Sequence, residues 1–67
     1  MISYEPLFRL LKTRGITGYQ LGKAGFPLTT YHSIRRGNNV STQTLDALCE
    51  LLDCRVEDIV EHIPNKK

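Results

Sequence analysis

An all-α fold is what this sequence predicts, five short helices packed as one domain over residues 1–67, and three observations predict it. Apolar residues recur at spacings of three and four along most of the chain, and no segment alternates with period two. One local device occurs three times: a hydrophobic residue, then Ser or Thr, then Leu four residues after the hydroxyl. The copies are Ile2-Ser3 with Leu7, Ile16-Thr17 with Leu21, and Val40-Ser41 with Leu45. The hydroxyl can accept a bond from a free amide of a first helical turn while the apolar pair closes over it, so each copy marks a helix start. Gly15, Gly25 and Gly37 fall where the first three helices must stop.

The first helix is expected over 4–14. Pro6 falls in its first turn, where a missing N–H costs little, and Leu7, Leu10 and Leu11 share a face with Phe8 beside them. The second, 18–24, is anchored by Leu21, and Gln20 stands three residues after Thr17, where it can complete a capping box. Gly25-Phe26-Pro27 breaks it, because glycine permits positive φ and proline disfavours helical geometry in the residue before it. Pro27 then opens the third helix, 28–36, with Tyr31 and Ile34 inward and Thr29, His32, Ser33 and Arg36 on the other side. The fourth, 42–52, carries Leu45, Leu48, Cys49 and Leu52 on one stripe. The fifth, 56–63, offers Val56, Ile59, Val60 and Ile63, and Pro64 with a polar tail ends it.

A chain of 67 residues buries only about 60% of its unfolded surface, which leaves no room for a separate substrate pocket. Its 40% hydrophobic content, regularly spaced, argues for a folded globule. No apolar run approaches the roughly 18 residues of a membrane span, and MISYEPLFRL lacks the basic flank and apolar stretch of a signal peptide, so a cytoplasmic location is expected. Cys49 and Cys54, with His32 and His62, are four zinc ligands in name. A C-x4-C pair with one His far upstream matches no common site spacing, so two packed thiols and no metal or cofactor are expected. The chain is not expected to be an enzyme: there is no glycine-rich phosphate loop, and Ser33 beside His32 has no orienting acid. No small-molecule substrate is evident.

Charge is unevenly divided. Residues 1–38 hold six cations (Arg9, Lys12, Arg14, Lys23, Arg35, Arg36) against Glu5, a net +5, while residues 39–67 hold three cations against six carboxylates, a net −3. Such a dipole can turn its basic half toward a polyanion, although charge of this kind is also ordinary solvated surface.

Met1 to Tyr4 read MISY, Val40 to Cys49 fit VS-x-x-TL-x-x-LC, and Leu52 to Pro64 fit LDC-x-x-x-DI-x-E-x-IP. With the helix pattern of 16–37, these resemble a lambda-repressor/Cro-type helix-turn-helix protein of the XRE class, in a compact bacterial and phage subgroup. The resemblance covers nearly all of the chain. It implies a lambda-repressor-like domain whose second and third helices form the helix-turn-helix, with the third in the major groove of double-stranded DNA. Leu28, Thr29, His32 and Ser33 would then face base edges, Tyr31 and Ile34 would point inward, and Gln20 would lie near phosphate. Three departures bear on the tilt of the third helix: the turn at Gly25 is one residue short, Gly22 replaces a usual Ala, and Leu28 replaces a usual polar residue.

Chemistry adds to that set. Arg36 shares a face with Ser33 and Thr29 and can bond a guanine bidentately or clamp a phosphate; helix-dipole compensation is the plainer role for it and for Arg35. Lys23, Thr30, Arg35, Asn38 and Asn39 are further phosphate candidates, the asparagines serving equally as turn residues. His32 could tune affinity near pH 6–7 or be an ordinary surface residue. The function expected is a sequence-specific DNA-binding transcriptional regulator, a repressor. Because one module contacts few base pairs, a homodimer is expected, with Val60 and Ile63 as dimer contacts. The alternative is a helical protein-interaction module, antitoxin-like or anti-repressor, that uses the same exposed face.

Overall fold

A computed structural model describes residues 1–65; Lys66 and Lys67, in the polar tail, lie outside the described residues. The elements run β1 (Ile2–Ser3), α1 (Glu5–Arg14), α2 (Gly18–Lys23), α3 (Leu28–Arg35) and α4 (Thr42–Leu52), then a 3₁₀ turn at Val56–Asp58 and β2 (Glu61–His62).

Two of the three hydroxyl signals cap helices as expected. At α2 the box is complete: the Gln20 amide donates to Thr17 Oγ1 at 3.1 Å, and Gln20 Oε1 accepts from the Thr17 amide at 2.9 Å. At α4 the Thr44 amide donates to Ser41 Oγ at 3.2 Å. The first signal is displaced by one residue. Tyr4 occupies the cap position of α1 without a side-chain bond, while Ser3, paired in β1, accepts from the Glu5 amide at 3.2 Å.

Each α-helix closes on one bond that reaches back five residues: Ile16 N–H to Leu11 O (2.9 Å), Phe26 to Leu21 (3.0 Å), Asn38 to Ser33 (3.0 Å) and Cys54 to Cys49 (3.1 Å). This is the Schellman arrangement, and the residue before each donor must be left-handed. Gly25 meets that requirement at α2 with φ of +108°. Asp53 is the exception, a residue with a Cβ held at φ of +49°.

The core gathers the cap residue Tyr4, Leu7 and Leu11 of α1, Leu21 of α2, the turn residue Phe26, Ile34 of α3, Leu48 and Leu52 of α4, and Ile59. Two buried aromatics thus come from positions that the sequence pattern gave no core role. Arg14, one of the six cations of the basic half, donates from its guanidinium to the Leu52 carbonyl and so ties the ends of α1 and α4 together.

The fifth helix is not there. In place of 56–63 as a helix, Val56–Asp58 form one 3₁₀ turn, closed by the Arg55 amide donating to Asp58 Oδ2 at 3.0 Å. Only Ile59 is fully buried, Val60 is half-buried, and Val56 and Ile63 are exposed. The chain then extends, and β2 pairs antiparallel with β1 in the register Ile2 to His62 and Ser3 to Glu61. Met1 and Ile63 exchange both backbone bonds at 2.8 Å. A turn this short has too few bonds to sustain a helix alone, and pairing with the N-terminal strand satisfies the same amides. No helix among the described residues is long and apolar enough to cross a membrane.

Candidate nucleic-acid interface

The site is built on α3, and α3 is set by what lies under it. Ile34 is buried, Thr30 and Tyr31 are half-buried, and Leu28, Thr29, His32, Arg35 and Arg36 are exposed. At 100° per residue the exposed set spans one arc, with Thr29, Arg36 and His32 at its centre and Leu28 with Arg35 on one flank, while the half-buried Ser33 borders the other flank. The helix ends in a Schellman stop: Gly37 N–H bonds Ile34 O at 2.9 Å and Asn38 N–H bonds Ser33 O at 3.0 Å. Gly37 is left-handed, at φ of +82°, as that stop requires.

Tyr4 holds this exit from below, its hydroxyl donating to the Asn38 carbonyl at 2.8 Å. Sequence reasoning missed Tyr4. The available signal was its spacing, three before Leu7 and seven before Leu11 on the buried stripe of α1. With its main chain fixed at both ends, Asn38 has an exposed side chain left to meet a ligand. Thr29, Thr30, Ser33 and Asn39 share a hollow of about 270 Å³ with Val40 and Thr44, so α3 and the start of α4 present hydroxyl and amide groups together.

Other expected contacts stand elsewhere. Arg35 borders a different cleft, of about 440 Å³, beside Lys12 and over Phe8, Leu11, Ile16 and Tyr31. Gln20 commits its oxygen to the capping box, leaving its NH₂ as donor, and it borders a hollow with Arg14, Ala24, Leu51 and Leu52 that none of the α3 residues line. Lys23 lies 5.6 Å above the centre of the Tyr19 ring, within cation–π range, on the exposed side of α2. His32 stacks obliquely on Tyr31, their ring centres 5.9 Å apart.

Electrostatically, the basic half is unneutralised. Among the described residues the one ion pair within 4 Å is Arg55–Glu57 at 3.5 Å, so Arg9, Lys12, Lys23, Arg35 and Arg36 have no carboxylate partner there. Cys49 and Cys54 are free, half-buried and side by side; burial, then the neighbouring Cys49 and Asp58, push the Cys54 thiol above the ordinary thiol range. Among the described residues no three of His, Cys, Asp and Glu gather where they could hold a metal ion.

Two short helices at a tight turn, the second with one buried and one exposed arc, define a helix-turn-helix, and comparison with known proteins settles its kind. The family model of the Cro/C1-type HTH DNA-binding domain matches residues 7–65. The chain belongs to the Cro/C1-type helix-turn-helix family. Its fold is similar to the crystal structure of the transcriptional regulator VanUg, Form II, with a TM-score of 0.83 and 34% sequence identity over 96% of this chain and 87% of that one. No curated protein matches the chain.

The α2 helix of this Cro/C1-type chain carries two glycines, and the structure accounts for both. A Cβ at Gly22 would stand 3.0 Å from Leu28 Cγ and Cδ2, closer than packing normally allows. Leu28 therefore fills the place of a side chain at position 22, which links two of the sequence's departures. Part of Leu28 is spent on α2 and part, 43% of its surface, remains exposed. Gly18, to which sequence reasoning gave no role, faces Tyr31 in the same way.

Proposed function

We propose that this chain is a sequence-specific transcriptional regulator, a repressor, that lays α3 in the major groove of double-stranded DNA. The observation that carries this is the outer arc of α3: Thr29, His32 and Arg36 stand exposed, with the half-buried Ser33 at their edge, on a helix whose other side is locked to the core. Short hydroxyl side chains let a helix approach base edges closely, Arg36 can read guanine or clamp phosphate, and Leu28 offers its exposed part to a thymine methyl. Thr30, Asn38 and Asn39 beside the arc, and Lys23, Arg35 and Gln20 farther from it, serve as phosphate donors. VanUg, the similar solved structure, is itself described as a transcriptional regulator. Repression rests on the simplest effect of such binding, exclusion of other proteins from the same groove. Residues 1–67 act as a single non-catalytic module that works in the cytoplasm, where the DNA is.

Pairing of two copies belongs to the same proposal. Val60 and Ile63 remain the proposed contacts, now at the end of a small sheet where Met1 and Ile2 are also exposed and apolar. Two-fold pairing would set half-sites about 34 Å apart.

Selection from a random duplex pool, followed by affinity titration in 50 to 200 mM salt, tests the proposal. A two-fold symmetric preferred site is expected, with log affinity falling against log salt by about 0.9 per phosphate contact. No enrichment of any duplex, or affinity indifferent to salt, would refute DNA recognition. Sedimentation showing only monomer at micromolar protein, with and without the selected site, would refute pairing.

A further inference from the structure

Gly18 opens α2 directly after the Thr17 cap, at a position where a helix favours almost any other residue. Unlike Gly15, Gly25 and Gly37, it is not in the left-handed region, so its backbone does not call for glycine. The constraint is spatial. A Cβ built on Gly18 would stand 2.8 Å from Tyr31 Cζ and 3.0 Å from Cδ2, with Cε2 nearer still, where ordinary contact begins at 3.4 Å. One turn along, Gly22 receives Leu28 in the same way. Gly18 and Gly22 are four apart and so share a face of α2; Leu28 and Tyr31 are three apart and share a face of α3.

We propose that Gly18 is a positioning residue for DNA recognition: by admitting the Tyr31 ring against the backbone of α2, it sets the depth and tilt at which α3 presents Thr29, His32, Ser33 and Arg36. The proposal rests on the DNA-binding function above. Tyr31 is half-buried against the core and immediately precedes His32 and Ser33, so a displaced ring moves the contact residues with it. A methyl at position 18 requires the ring to retreat by 0.6 Å or more (from 2.8 to 3.4 Å). A recognition surface tolerates about 0.5 Å of misplacement, so a ring shift of this size, passed on to the α3 backbone, exceeds what the surface tolerates.

The test compares the wild type, Gly18→Ala, and the double variant Gly18→Ala with Tyr31→Leu, each by duplex selection, affinity titration, thermal melting and ¹H–¹⁵N spectra. Gly18→Ala is expected to melt cooperatively, to shift the α3 amides, and to lose about tenfold or more in affinity for the wild-type site, the scale of one good base contact. The double variant, with no ring to displace, is expected to regain the wild-type site preference. Wild-type affinity and preference in Gly18→Ala would overturn the proposal, since the ring would then have turned aside and left α3 in place. A loss that the double variant fails to reverse would also overturn it, and this comparison still decides if Gly18→Ala does not fold. Should the wild type select no duplex, DNA recognition fails by itself, and unshifted α3 amides in Gly18→Ala would separately refute the positioning role.

Discussion

Replacing Asp53 is expected to stabilise the protein. At φ of +49° its Cβ crowds the following carbonyl, a cost of about 1–2 kcal/mol for an ordinary residue and toward the lower end for Asp, which tolerates this region best after Asn and Gly. Its carboxylate also stands at the C-terminus of α4, where the helix dipole disfavours negative charge by about 0.3–1 kcal/mol. Gly removes both costs and adds about 0.4–1 kcal/mol of unfolded-chain entropy, leaving a net gain of about 0.5–1 kcal/mol. Asn removes only the charge and should gain about 0.3–0.5 kcal/mol. Ala loses the charge but keeps the crowding without Asp's local bonding, and should be no more stable than the wild type. In a domain of this size 1 kcal/mol moves the melting temperature by about 4–8 °C, so Asp53→Gly should melt about 2–8 °C higher. Urea and thermal denaturation of the four proteins give the order directly. Equal stability of the Gly and Ala variants would refute the reasoning, because backbone strain would then contribute nothing.

Tyr4→Phe removes one half-buried hydrogen bond to Asn38 and should cost about 0.5–1.5 kcal/mol in urea unfolding, with the Asn38 amide exchanging faster than in the wild type. Arg14→Ala frees the Leu52 carbonyl at the end of α4 and should cost about 1 kcal/mol, read as a lower urea midpoint at unchanged slope. The folded state favours the protonated Cys54 thiol, so the stability this contributes is complete below about pH 8.5 and falls as pH rises through the higher folded-state value. Cys54→Ala should flatten the alkaline decline of the urea midpoint, and alkylation of Cys54 in the folded protein should be slow at pH 8. Arg36→Ala should weaken DNA binding by about 1–3 kcal/mol, with relaxed base preference if it reads guanine and a uniform loss across sequences if it clamps phosphate. Unchanged titration curves would remove Arg36 from the interface.

What the sequence discloses is what local chemistry decides. The Thr17–Gln20 box and the Ser41 cap are built from residues three apart, and both form where the pattern puts them. The inward side of α3 follows from its 3.6-residue period, and Ile34 is buried accordingly. The apolar spacing of 56–63 is equally compatible with a helix, and the alternative, a strand bonded to Ile2 and Ser3, depends on a partner some 60 residues away that no local pattern reveals. Gly18 shows the same limit from another side. A glycine inside a helix start looks like a weakness until the Tyr31 ring, thirteen positions on, is seen to occupy the missing side chain's place.

The pairing of β1 with β2 also bears on how the chain folds. The four helices close through local bonds, whereas joining Met1 to Ile63 before the helices pack closes a loop of about 60 residues, an entropy cost of about 3.6 kcal/mol from its length alone that prior packing of the bundle largely removes. A few backbone bonds at about 1 kcal/mol each offset little more than that. The sheet is therefore a late and weakly held latch on a bundle that assembles first, and its amides should be among the earliest to exchange with solvent while those of α1 and α4 stay protected.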